Sequence, residues 1–466
     1  MHIHILGICG TFMGGLALIA RAAGHKVTGC DTAVYPPMST QLEEQGIELI
    51  EGYGAEQIEL QPDLFIIGNV VSRGNPLMEE ILNRGLPYTS GPQWLGEQVL
   101  HQQHVLAIAG THGKTTTSSM LAWILQYAGL DPNFLIGGIA ENFGISARFD
   151  KTKKYFVIEA DEYDTAFFDK RSKFVHYHPR TAILNNLEFD HADIFENLEA
   201  IQKQFHHLVR IVPQVGRVIY PTAETALNEV IALGCWSEQA SLGNGSTATK
   251  AASSSWDYRL VTPSGSHFQV LQQDQLIAEV QWSLIGTHNV QNALAAISAA
   301  EHIGVEAALA CEALQSFRGI KRRMELRDTI NSIAVYDDFA HHPTAITTTL
   351  EGLRKQVGDA RIIAVLEPRS NTMKLGSMSA RLPEALKLAD VVFCYNETQG
   401  KHSLNWDAEG VFADMLQPTQ VHHDLSQLIE SVSAIAEPGD HVLIMSNGGF
   451  GGFHDKLIST LKTKYS

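Results

Sequence analysis

The sequence predicts an α/β protein of three domains, and three observations carry that prediction. Apolar strand-like runs alternate with helix-like segments, most strictly after residue 320. Polar motifs rich in glycine, acids or amides follow several of those runs. The length of 466 residues suits two to four domains at about 100–200 residues each, with three the central expectation. Alternation of this kind yields mostly parallel, doubly wound sheets, and ligands sit at the carboxyl ends of their strands.

The first domain is expected over residues 1–103. "IHILGIC" reads as a strand, "GGLALIARAAG" after a glycine turn as a helix, and "HKVTGCD" as a second strand ending at Asp31. "LFIIGN" (64–69) and the short "PYTS" (87–90) supply further strands, and the boundary falls in "EQVLHQQH". The second domain, 104–319, opens with "VLAIA" (105–109) and continues with "YFVIEA" (155–160) and "TAILNNL" (181–187). Between Ser237 and Ser255 the small, polar "SEQASLGNGSTATKAASSS" reads as a surface loop. Strand and helix patterns resume at Trp256 and lead to the helix "NVQNALAAISAAEHIG". The third domain, 320–466, alternates the strands "SIAVYDD", "RIIAVLEP", "VVFCY" and "HVLIMSN" with helices and closes on "FHDKLISTLKTK".

Composition narrows the class. Hydrophobic residues at 44% and charged residues at 18% exclude a largely disordered chain. No apolar run reaches the roughly 18 residues that span a bilayer, and "MHIHILGICG" lacks the basic start and small-residue cleavage site of a secretory signal. The expectation is a cytoplasmic protein with no membrane partner. Cys9, Cys30, Cys235, Cys311 and Cys394 lie far apart with no paired spacing, which reads as reduced thiols. With 34 basic against 51 acidic residues the net charge is −17, which argues against nucleic acid as a partner. An anionic ligand must be held by local groups.

One such group is "GTHGKTT", beginning at Gly110, between an apolar strand and the helix "KTTTSSMLAWILQYAG". The order strand, glycines, Lys-Thr, helix is that of a phosphate-binding loop, whose backbone N–H groups converge on an anion at a helix N-terminus. Lys114 would neutralise the β/γ-phosphates and the Thr115 hydroxyl would bind Mg2+. Ile108 stands where the usual pattern has its first glycine. "EADEYD" then brings Glu159, Asp161, Glu162 and Asp164 to a strand end, where a hard cation finds oxygen ligands. Alone it would read as a solvated acidic turn, and the phosphate loop reverses that preference.

Other motifs stay open when read singly. "NNLEFDHADIF" gathers Asp190, His191 and Asp193, though an isolated His191 reads as a cap or core histidine. In "GTHNVQNALAA" the amides of Asn289 and Asn292, three apart, share one helix face and suit the edge of adenine, or are merely exposed at a helix start. "FRGIKRRMELR" offers a clamp for a transferring phosphoryl group or a basic linker surface. "VYDDFAHHPTA" sets Asp338 at a strand end and His341 at a helix start. The glycines of "GICGTFMGG" fit a dinucleotide and another nucleotide about equally.

Taken in order, "GICGTFMGG", "GTHGKTT", "EADE", "NNLEFDH", "HNVQNALAA", "RRME" and "DDFAHHP" resemble the Mur ligases, the ATP-dependent amino-acid ligases of peptidoglycan synthesis. The likeness covers nearly the whole chain. It implies an N-terminal Rossmann-like UDP-binding domain, a central P-loop ATPase-like domain and a C-terminal doubly wound Rossmann-like domain. It also implies ATP and Mg2+ as cofactors, with Gly110, Thr111, His112, Gly113, Lys114, Thr115, Thr116, Asn289, Asn292, Arg323 and Asp338 at the ATP. By the same resemblance Thr115, Glu159 and His191 bind metal, and Gly10, Thr11, Phe12, Met13, Asp31, Asn69 and Ser72 hold UDP. The catalytic set it implies is Lys114, Glu159, His191 and Arg323, to which His341 is added as an orienting or proton-accepting group.

Three stretches, "EADEYDTAFFDKRSKFVHYHPR", "EPRSNTMKLG" and "SNGGFGGFHDKL", resemble members that join UDP-N-acetylmuramate to L-alanyl-γ-D-glutamyl-meso-diaminopimelate during peptidoglycan recycling. Arg369, Ser370 and Asn371 are then expected at the peptide. Several members carry a carbamylated lysine fifteen residues after the DHxD histidine, where this chain has His206, so the second magnesium is expected without a carbamate. The nearest alternative is addition of free L-alanine. Alternatives from other classes are a P-loop switch or motor and a dinucleotide-dependent oxidoreductase.

Overall fold

The computed structural model describes residues 1–32, 34, 38–245, 254–397 and 403–465. Three large sheets flanked by helices divide it, and a fourth, two-stranded antiparallel sheet pairs Asp164–Ala166 with Asp169–Ser172. The first has five parallel strands in the order Glu48–Glu51, Lys26–Asp31, His2–Leu6, Leu64–Ile67, Tyr88–Ser90. Its first crossover helix, Thr11–Ala22, starts directly behind the glycine turn and buries Leu16, Ala17, Ile19 and Ala20 against the sheet. The strand Glu48–Glu51 was not anticipated, because "ELIE" is too short and too acidic to stand out.

The central sheet has ten strands. Its middle strand, His104–Ala109, is wholly apolar after His104 because neighbours cover both its edges and helices cover both faces. Ile108 pairs with Ile183 on one side and Glu159 on the other and is fully buried. It is therefore a core position of the strand, which ends at the equally buried Ala109, and the phosphate loop begins after that residue. Burial of a side chain of the size of Ile108 contributes about 1.5–3 kcal/mol. The helices Lys114–Tyr127 and Thr287–His302 pack together within one core.

Two features of this domain depart from the sequence reading. Residues Glu238–Leu242, expected within a loop, form a strand parallel to Arg217–Pro221. Only Ala240 and Leu242 face inward, which leaves too weak an alternation to detect. Residues 246–253 of that stretch lie outside the described residues. Three strands, Trp256–Leu260, His267–Gln272 and Gln275–Gln281, then form an antiparallel meander at one end of the sheet.

The third sheet has six strands, five of them parallel, with Glu325–Ile330 antiparallel at one edge. Its link to the central domain is pinned by a bridge between Ala140 and Ile320 and by the Lys321 N–H, which donates to the Ile139 carbonyl at 3.1 Å. The two residues that follow, Arg322 and Arg323, are thereby fixed at the junction. No helix among the described residues is long and apolar enough to cross a membrane.

Candidate active site

A cleft of about 1630 Å³ opens where the three sheets meet, at the carboxyl ends of their strands. Gly10, Thr11, Phe12 and Asp31 line it from the first domain, and Thr111–Thr116, Glu159, Asp161, His191, Asn289 and Asn292 from the second. Arg322, Arg323, Asp338, His341 and the turn 447–449 line it from the third.

The phosphate loop is shaped by its two glycines. Gly110 has φ +142°, and a Cβ there would meet Asn185; Gly113 has φ +80°, and a Cβ there would lie 2.5 Å from Asn292 Oδ1. Between them, the His112 N–H donates to Asn186 Oδ1 at 2.8 Å, and the His112 carbonyl accepts from Asn186 Nδ2 at 3.2 Å. Lys114 Nζ donates to the Gly110 carbonyl at 2.6 Å and to Glu162 Oε2 at 3.1 Å. Burial works against the Lys114 charge, but Glu162, Asp161 and Glu159 outweigh it and hold the ammonium above the ordinary lysine range.

Behind the loop stand the acids. Glu159 accepts from the Gly137 N–H at 2.7 Å and from the Thr115 hydroxyl, while burial raises its pKa. His191, at φ +54°, lies with Nε2 3.3 Å from Glu162 Oε1. Burial opposes its charge, but Glu162, Asp190 and Asp161 raise its pKa overall. The resemblance gives Glu159 and His191 as ligands of one magnesium; in the fold the carboxylate lying against the imidazole is Glu162, with Asp161 beside it. Ligand atoms of Asp161, Glu162 and His191 all lie within 4.8 Å of one another. An oxygen-rich set of this kind, with Glu159 and Thr115 adjoining, fits a hard divalent cation. His206 is not part of it: it lines a separate surface pocket with Lys203 and Glu229, whereas Gln204 approaches the acids through Ser172 Oγ at 3.3 Å. Ser172 in turn donates to the Glu162 carbonyl.

The third domain closes the cleft with two adjacent guanidinium groups. Arg322 (φ +62°) and Met324 (φ +52°) adopt left-handed backbone, a strained arrangement for residues other than glycine. It lets both arginines stack on Phe339, at 5.1 and 5.0 Å. Arg322 then donates to the Ser446 and Gly448 carbonyls, at 2.7 Å each, and fixes the glycine turn. Asp338 accepts from the Met324 and Ala340 N–H groups, so its carboxylate is oriented beside Arg323.

Other expected contacts are placed less centrally. Asn292 rests on Gly113 and donates to Asn289 Oδ1 at 3.4 Å. Met13 is buried beneath the first-domain turn, against Gly91, and is a core residue there because its thioether fills the space that Gly91 leaves. Asn69 donates to Asp164 Oδ1 at 3.0 Å, Ser72 is exposed, and neither lines the cleft. Arg369, Ser370 and Asn371 do not line the cleft either: Arg369 packs on Gly448, which does, Ser370 caps the helix Asn371–Leu375, and Asn371 donates to Asp193 at 3.1 Å. The sequence reading missed Lys173, whose ammonium sits 2.6 Å from Asp161 and over the rings of Phe12 and Tyr163. It also missed Glu188, which binds His112 and accepts from Thr344 Oγ1 at 2.9 Å. Its place in "NNLEFDH" was the available signal.

Comparison with known proteins agrees with this arrangement. Residues 2–103 match the Mur ligase family catalytic domain, 108–300 the Mur ligase middle domain, and 322–448 the Mur ligase glutamate ligase domain. The chain is 56% identical over 465 residues to the UDP-N-acetylmuramate–L-alanyl-γ-D-glutamyl-meso-2,6-diaminoheptandioate ligase of Escherichia coli (strain K12), covering 100% of this chain and 99% of that one. It is 49% identical to a murein peptide ligase of Psychrobacter arcticus 273-4 of known crystal structure, with a TM-score of 0.76 and 99% of each chain covered. At 21% identity it also superimposes on the UDP-N-acetylmuramate-alanine ligase of Thermotoga maritima with a TM-score of 0.81 over the whole of both chains, a likeness of fold. Three matched domains in order, identity above half over the full length, and a cleft built from all three domains establish that the chain belongs to the Mur ligase family.

Proposed function

We propose that this chain is an ATP-dependent, ADP-forming ligase that joins UDP-N-acetylmuramate to L-alanyl-γ-D-glutamyl-meso-diaminopimelate in peptidoglycan recycling in the cytoplasm. Residues 1–103 hold the UDP-sugar, 104–319 the ATP and 320–466 the peptide. The observation that carries the reading is the single cleft, in which the phosphate loop faces the first domain's glycine turn and the third domain's Arg323. The acceptor follows the activity for which the full-length relative from Escherichia coli is named.

A carboxylate must be activated before an amine can displace its oxygen. The lactyl carboxylate of the donor attacks the γ-phosphate of ATP in line, giving an acyl phosphate and ADP. The peptide's L-alanine amine then attacks that carbonyl, and phosphate leaves with the electrons of the broken C–O bond. The residues act by positioning and charge rather than covalently. Lys114, released from Glu162, draws the β/γ-phosphates into the loop, while Arg323 meets the transferring group from the other side. Asp338 accepts from the ribose, and Asn289 and Asn292 border the adenine. Glu159, His191 and Thr115, with Asp161 and Glu162, would hold Mg2+, which when bound neutralises phosphate charge.

The test is ADP release with each substrate omitted in turn. The reading predicts rapid ADP formation only with both UDP-N-acetylmuramate and peptide present. ATP turnover independent of the donor would instead assign a P-loop switch or motor.

A further inference from the structure

The attacking amine arrives protonated, and the reaction proposed above, on which this inference rests, assigns no group firmly to take its proton. Two imidazoles border the junction. His341 donates from Nδ1 to the Phe339 carbonyl at 2.9 Å, and burial lowers its pKa to about 4. His112 is placed differently. Its Nε2 bonds to Glu188 Oε1, so that nitrogen is the donor and Nδ1 carries the lone pair. Among the described residues Nδ1 has no hydrogen-bond partner, and the ring borders the cleft. The backbone bonds to Asn186 fix its position within the phosphate loop, next to the site of phosphoryl transfer.

Glu188 is tied in turn to the third domain. Thr344 Oγ1 donates to its second oxygen at 2.9 Å, Arg381 lies 3.7 Å from that oxygen, and His342 Nδ1 lies 3.4 Å from the first. We infer that His112 Nδ1 is the proton acceptor for the incoming amine, and that Glu188 positions the ring and becomes bound to the third domain when that domain docks. The arrangement of carboxylate, imidazole and reacting proton is that of a general base with an orienting acid.

The titratable groups facing the ring are Glu188 and Glu224 from the central domain, His288 from the helix Thr287–His302, and His341 and His342 from the third domain. Burial holds each of those three histidines near 4, so they are neutral at pH 7 and only the carboxylates act on an imidazolium at His112. In the step, one ammonium proton passes to His112 Nδ1 and the freed nitrogen lone pair forms the C–N bond. The tetrahedral centre then loses its second N–H proton to the departing phosphate as the C–O bond breaks.

The experiment compares two acceptors in the full-length protein with ATP and UDP-N-acetylmuramate: the tripeptide, and hydroxylamine, whose nitrogen is uncharged near neutrality and needs no base. His112→Gln should lower amide formation about 100-fold or more relative to hydroxamate formation by the same variant, so that any loss of ATP binding, which falls on both products alike, cancels in the ratio. The acidic limb of the amide-forming pH profile should be lost with it. Glu188→Gln keeps the His112 imidazole but weakens its orienting bond, and should show the same split in weaker form. Equal loss with both acceptors in the two variants, or amide formation by His112→Gln at the wild-type rate, would overturn the assignment. Absence of any hydroxamate with the wild-type protein would remove the acyl phosphate itself and the assignment with it.

Discussion

Lys114 Nζ donates to Glu162 Oε2 at 3.1 Å, and the other oxygen of Glu162 lies 3.3 Å from His191 Nε2. One buried carboxylate thus joins the phosphate-loop cation to the acid–imidazole cluster. Burial disfavours its charge, yet Lys114 and His191 hold Glu162 below the ordinary carboxylate range. Lys114→Ala removes the cation that faces the triphosphate and leaves the first domain untouched. It should abolish ADP formation and ligation, while calorimetry still detects UDP-N-acetylmuramate at near wild-type affinity. ADP formation at the normal rate would contradict the role given to the loop.

Glu188 predicts a pH dependence of stability. Burial raises its pKa, but the His112 bond, the neighbouring His342 and the Thr344 bond outweigh that and hold it at about 2 against an ordinary 4.5. A carboxyl depressed on folding stabilises the fold above its unfolded pKa and loses that contribution as the pH falls through the folded value. The contribution is therefore complete above about pH 4.5 and gone near pH 2. Melting temperatures of wild type and Glu188→Gln should differ at pH 6 and converge between pH 4.5 and 2. A constant difference across that window would contradict the ion pairing.

Gly113 combines φ +80° with a Cβ position 2.5 Å from Asn292 Oδ1. Gly113→Ala should strain the loop by about 1–3 kcal/mol and weaken binding of a non-hydrolysable ATP analogue. Donor binding should be unaffected. Unchanged nucleotide affinity would show that the loop tolerates the methyl group and that its contact with Asn292 is not needed.

Gly96 lies where the first domain meets the central one. A Cβ there would sit 2.1 Å from the His176 carbonyl oxygen, a backbone atom that cannot move aside as a side chain could. Gly96→Ala should destabilise the protein by about 1–3 kcal/mol and be visible as a lower melting temperature. An unaltered melt would mean that the two domains separate at that contact without loss.

How much of this was legible depended on sequence distance. Most of the parallel strands were readable because they are short buried apolar runs, which Glu48–Glu51 and Glu238–Leu242 are not, and the phosphate loop because its residues are contiguous. Glu188 was quoted within a motif but given no role, since its partners, His112 and Thr344, lie 76 and 156 residues away. The contact between Glu162 and His191 went unread for a related reason. Glu159 ends the strand Tyr155–Glu159 and Glu162 stands three residues later in the acidic loop, and only the folded course of that loop turns Glu162 toward the imidazole. The antiparallel strands Trp256–Gln281 and the hairpin Asp164–Ser172 are half-exposed and mixed in polarity, so their alternation is faint.

The central claim is the identity of the acceptor, and the most direct measurement is kcat/KM for the tripeptide and for free L-alanine, with ADP and ligated product both quantified. The account predicts a clear preference for L-alanyl-γ-D-glutamyl-meso-diaminopimelate, with one product formed per ADP. A clear preference for L-alanine would contradict it and assign the chain to the alanine-adding branch of the family.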